Sequence, residues 1–181
     1  ASTPGLTATT VGAGTITVTL SDGVAGDVLT VGTLAGIAST SGGTGSTPLV
    51  ITLASTATLS QVDAILAAVR YSNTSDNPTS FGTDTTRSYT VALSDGNNAQ
   101  TGGNAGGPSA LQVSVNGTIN LVATNDPPVA TDNTNSVTEN SAAPATGNVR
   151  TDGTPDSDPD NILASLSVSS IRTGLETGGT P

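Results

Sequence analysis

Thr15-Ile16-Thr17-Val18-Thr19-Leu20 alternates strictly between hydroxyl and aliphatic side chains. Because neighbouring side chains of an extended strand point to opposite faces, this stretch suits a sheet with one wet and one dry side. Tyr89 to Leu93 and Leu111 to Val115 repeat the pattern, and Thr118 to Val122 follows after Asn116-Gly117, a dipeptide that predicts a tight hairpin. Asp22-Gly23 and Asp95-Gly96 read the same way. Threonine is β-branched and comfortable on the solvated face of such a sheet. Composition alone would permit disorder, with 34% apolar and 10% charged residues. The periodicity argues for folded β-structure instead.

One segment departs from the two-residue period. Thr58 and Gln61 have the spacing of a capping box, and Val62, Ile65, Leu66 and Val69 recur at helical intervals. A short helix closing one end of a β-core is the expectation. Tyr71 and the turn-rich run Ser72 to Thr79 follow, and strand resumes around Arg87.

Residues 1–124 hold six or seven strand candidates. Asn125-Asp126-Pro127-Pro128 marks a boundary, since two prolines stop sheet pairing and stiffen the chain. The second unit, 129–181, offers three strand candidates, Asn135 to Thr138, Gly147 to Arg150 and Leu163 to Ser170, which make a marginal sheet alone. It is expected to be truncated or completed by a neighbouring chain. An incomplete unit of that kind leaves a strand edge open to another chain.

Residue types that are missing limit the chemistry. The 181 residues include no Cys, Met, Trp, His or Lys, which excludes the usual zinc sites, Ser-His-Asp or Cys-His nucleophiles and Schiff-base lysines. Fourteen acidic residues against four arginines give a net charge of -10, unsuited to binding nucleic acid. The longest apolar run, Ala64 to Val69, is too short to span a bilayer. Oxygen ligands remain, and they suit hard cations such as calcium. Asp156-Ser157-Asp158-Pro159-Asp160-Asn161 crowds three carboxylates that repel one another unless a cation sits among them, and Asn125, Asp126 and backbone carbonyls would complete its oxygen ligands. A solvated acidic loop is the plainer alternative. Gly42-Gly43-Thr44-Gly45 lacks the acid of a calcium-binding glycine repeat and reads as an ordinary loop.

These residues carry a resemblance. Asn125 to Val129, Val137-Thr138-Glu139-Asn140, Gly147-Asn148-Val149 and Asp156 to Asn161 resemble the entry to a cadherin-type domain, and Leu166 to Gly174 is similar to the start of VCBS-type repeats. Upstream, Ala25 to Leu29, Leu66 to Pro78 and Arg87 to Gly96 resemble the bacterial cadherin-like repeats of large surface adhesins. The resemblance implies a cadherin/Ig-like β-sandwich repeat with one short helix, followed by a partial second β-domain. It further implies Ca2+ at the junction, held by Asn125, Asp126, Asp156 and Asp158, with Asp160 adjacent. Glu139 would serve the far end of the second domain, while Asp76 and, less directly, Asp27 would face the junction. The linker lacks the full acidic pattern, and Arg87 is followed by Ser88 where the family has an acid, so one ion is favoured over three. The implied role is an extracellular, calcium-rigidified structural repeat on a bacterial cell surface. Its partners would be neighbouring repeats or identical subunits in a filament. Binding of surface glycans is the alternative, and paired-carboxylate hydrolysis fits poorly without a flanking aromatic pocket. The aromatic inventory is Tyr71, Phe81 and Tyr89.

Overall fold

The computed structural model describes residue 11, residues 13–95 and residues 112–170. Those residues form seven strands in two antiparallel sheets with one α-helix. In chain order they are β1 (Thr15–Leu20), β2 (Asp27–Thr30), β3 (Ile37–Ser41), β4 (Leu49–Leu53), α1 (Leu59–Ala68), β5 (Arg70–Asn73), β6 (Thr86–Ser94) and β7 (Gln112–Asn120). The larger sheet runs β3-β4-β1-β6-β7 and the smaller pairs β2 with β5.

Alternation on β1 does what the pattern predicts. Ile16, Val18 and Leu20 are buried while the intervening threonines are not. Ile16 lies opposite Ile51 of β4 and Leu93 of β6, and Val18 opposite Leu49 and Val91, so one face of the large sheet is continuously aliphatic. Leu29 of β2, Ala57, and Val62 and Ile65 of α1 join these residues in one apolar cluster, with Tyr71 of β5 packed against it. Burial of each Val, Leu or Ile side chain in this cluster is worth about 1.5–3 kcal/mol.

The helix begins at the anticipated capping box. Thr58 Oγ1 accepts from the Gln61 amide at 3.3 Å and Gln61 Oε1 accepts from the Thr58 amide at 2.9 Å. Its buried face is narrower than the spacing suggests, because Leu66 is exposed.

Three expectations need correction. Asn116-Gly117 is no hairpin: both residues lie inside β7, which pairs with β6 along its whole length. Tyr89 stands directly opposite Gly117, and a Cβ at Gly117 would collide with the Tyr89 ring. The glycine leaves room for that ring, and the Thr90 hydroxyl donates to Asn116 Oδ1 at 2.7 Å on the other face. Gly117→Val should therefore cost about 1–3 kcal/mol through overpacking, measured by urea denaturation. Asp22-Gly23 is a turn but not a hairpin, since β1 pairs with β4 and β6 while β2 lies in the other sheet. Instead both Asp22 carboxylate oxygens accept from the Ser88 amide. Of Asp95-Gly96, Gly96 lies outside the described residues, as does Leu111.

The third correction concerns the segment after β7. None of the candidates at 135–138, 147–150 and 163–170 is a strand, and Leu163–Ser165 is a short 3₁₀ helix. Among the described residues only a single bridge, Val129 to Ser157, links two stretches there. Side chains take the place of a ladder: Asn133 donates to Val149 O at 2.6 Å, Asn135 to Thr146 O at 2.8 Å, and Arg150 to Leu163 O at 3.1 Å. Asn and Asp compete with backbone pairing in this way. Val137, Val149 and Val168 are exposed, so no buried apolar face selects a strand register.

Candidate functional sites

Two polar constellations stand out, and only one was anticipated. In the first, Asp27 opens β2 with its side chain in the interior, 1% exposed. Its Oδ1 accepts from the Tyr71 hydroxyl at 2.5 Å and the Asn73 amide at 2.6 Å, both from β5. Its Oδ2 accepts from the Val24 amide at 2.8 Å and from Arg87 Nε at 2.7 Å. Four donors fill the acceptor capacity of a carboxylate. Asp27 thus has no lone pair left for calcium, which removes it as a junction ligand.

Arg87 is fully buried on β6, so its ion pair with Asp27 ties the large sheet to the small one. Its remaining guanidinium nitrogens donate to Thr86 O at 2.9 Å and Pro78 O at 3.0 Å, and Asp84 approaches at 2.8 Å. Burial pushes the Asp27 carboxyl up, but the Tyr71 hydroxyl, the Val24 amide, Arg87 and Asn73 together outweigh it and hold the group below its ordinary value. Burial, reinforced by the Asp27 charge, pushes Tyr71 up. Burial pulls Arg87 down, yet its bond to Asp27 and the charges of Asp27 and Asp84 leave it raised overall. Asp27, Tyr71, Asn73, Pro78 and Arg87 all fall within the upstream stretches that carry the family resemblance.

The second constellation gathers the linker and the Asp loop. Asp160 Oδ2, 34 residues along the chain, accepts from the Asp126 amide. Asp158 Oδ1 accepts from the amides of Asp160 and Asn161, each at 2.8 Å. The Asn161 side chain bridges Asp158 and Asn125 at 3.2 Å, and Asn125 donates to Asp126 O at 2.8 Å. Asp156 instead accepts from the Thr131 amide at 2.8 Å. Asp160 Oδ1 is buried without a hydrogen-bond partner. Beside this loop lies an open groove lined by Val129, Arg150 and Leu166 among others.

Glu139 and Asp76 are exposed, and no hydrogen bond ties either to this loop among the described residues. Among the described residues no three acidic groups converge into a ready metal cage. The aromatic inventory is mostly committed to packing, with Tyr71 bound to Asp27 and Tyr89 over Gly117, leaving Phe81 half exposed. No described helix is long and apolar enough to cross a membrane. No protein family, curated protein or solved structure matches this chain.

Proposed function

We propose that this protein is a structural repeat of an extracellular bacterial adhesin or filament, a cadherin-like β-sandwich whose 125–161 junction is stiffened by calcium. The bond between the Asp126 amide and the Asp160 carboxylate carries this reading, because it folds the linker onto the acidic loop as a cadherin-type junction requires. The donor set fits a hard cation: it is all oxygen, and Asp160 Oδ1 is a buried acceptor with nothing to accept from. Asp160, Asp158, Asp126 and Asn125 would hold the ion, with Asp156 at the margin, and Glu139 and Asp76 would have no part in this site.

A bound divalent ion supplies the counter-charge that these carboxylates lack. Asp158 meanwhile fixes the loop through two amides, and Asn161 and Asn125 keep the linker against it. In the absence of counter-charge the acids repel and the junction loosens. Extracellular modules of this type bind calcium at about 10⁻⁴–10⁻³ M. Calcium in that range should raise the melting temperature and extend the particle in small-angle scattering, and chelator should reverse both. Asp160→Asn should weaken the response about tenfold or more. Identical scattering and melting with and without calcium would remove the proposal.

A further inference from the structure

We infer that the outer edge of β7 is a self-association surface, where the strand pairs antiparallel with β7 of a second copy of this chain. β7 ends the large sheet and, among the described residues, pairs only with β6. An unpaired edge is a template for another strand, and proteins normally blunt it with charge, proline, brevity or a bulge.

The other edges are blunted. β3 is five residues long and shifts register between Ile37 and Ser39. The outer side of β2 is occupied by the β3–β4 loop, where the Leu29 amide donates to Gly43 O at 2.7 Å and the Gly45 amide to Asp27 O at 2.8 Å. That loop folds back on glycines 42, 43 and 45, all at positive φ. β5 is four residues long and opens on the charged Arg70.

Among the described residues β7 has none of these protections. Gln112-Val113-Ser114-Val115-Asn116-Gly117-Thr118-Ile119-Asn120 contains no charge, no proline and no register shift. In a chain of net charge -10, this neutral nine-residue strip is where two copies meet without repulsion. The face beside the edge points the same way. Val113 lies opposite Leu93 and Val115 opposite Val91, at the parity that is buried on β1, yet Val113 and Val115 are 60% and 61% exposed. The aliphatic face therefore runs past its cover, and a second β7 placed in register would continue it across a two-fold axis.

Sedimentation of the full chain across the micromolar-to-millimolar range, with calcium and with chelator, tests this. A reversible dimer is expected in both solutions, which separates it from the calcium proposal. Val115→Lys, at an exposed position that leaves the fold intact by circular dichroism, should weaken the dimer about tenfold or more through apposed charges. Val137→Lys, equally exposed but outside the sheet, should leave it unchanged. Hydrogen exchange should show β7 amides gaining protection with concentration. A monomer at every concentration, or a dimer indifferent to Val115→Lys, or one lost equally in Val137→Lys, overturns the inference.

Discussion

Asp27→Ala is expected to lower stability by about 3–5 kcal/mol, the cost of taking from a buried guanidinium its buried counter-charge and leaving only the part-exposed Asp84 beside it. Domains of this size are stable by only about 5–15 kcal/mol, so the variant should unfold early in urea and melt roughly 10 °C or more below the parent. The size of the effect follows from burial, since neither Asp27 nor Arg87 exposes any side-chain surface in the pair. A water entering the space would accept hydrogen bonds from the stranded donors but would not supply the missing charge. Removal also frees Tyr71 and Asn73, which donate to the same oxygen. Arg87→Met should be similarly damaging, because it strands the carboxylate and releases Pro78 O. The double variant Asp27→Ala/Arg87→Met should lose less than the sum of the single changes, with a coupling of about 1–3 kcal/mol. Strict additivity would mean that the pair contributes nothing as a pair.

Stability should be flat from mildly acidic to mildly alkaline pH and fall at both ends, from two groups of the same network. The Asp27 carboxyl is held below its ordinary 3.8 when folded. Its stabilisation is complete above the unfolded value and is lost as pH falls through the folded one, where protonation breaks the pair. Tyr71 is shifted the other way, above its ordinary 10.0. Above that pH the unfolded chain ionises its phenol more readily than the folded chain, so alkali favours unfolding. Arg87 is raised and stays charged across the interval between these limits. Urea midpoints measured across the pH range should trace a plateau with two shoulders, and Tyr71→Phe should remove the contribution of this phenol to the alkaline one. Equal stability at about pH 2.5 and about pH 7 would show that Asp27 does not govern the acid side.

The local patterns were legible because they depend on near neighbours. Alternation at Thr15–Leu20 and the Thr58–Gln61 capping box each reflect one element's own geometry, and the structure repeats them. The hairpin expected at Asn116-Gly117 failed for a distant reason: the glycine answers the Tyr89 ring on the next strand, which a turn rule cannot see. Strands expected near Val137, Val149 and Val168 failed because alternation needs a partner and a core to act against. There asparagine and arginine side chains occupy backbone groups that a ladder would have used. The buried network left a signal that was readable but overlooked. Arg87 shares its parity with Tyr89, Val91 and Leu93, and Asp27 shares its parity with Leu29, so each charge sits at an inward position and calls for an opposite charge inside. The linker-to-loop contact is non-local, and the sequence pointed to it through the crowding of acids and through the junction that the resemblance of linker and loop implied.

The strand order has a mechanical consequence. β1 and β7 are each antiparallel to β6, which lies between them, and so run parallel to one another. Tension applied through the start of β1 and the end of β7 pulls toward opposite ends of the sheet. The rungs on both sides of β6 then bear load together, in shear, instead of being peeled apart one after another.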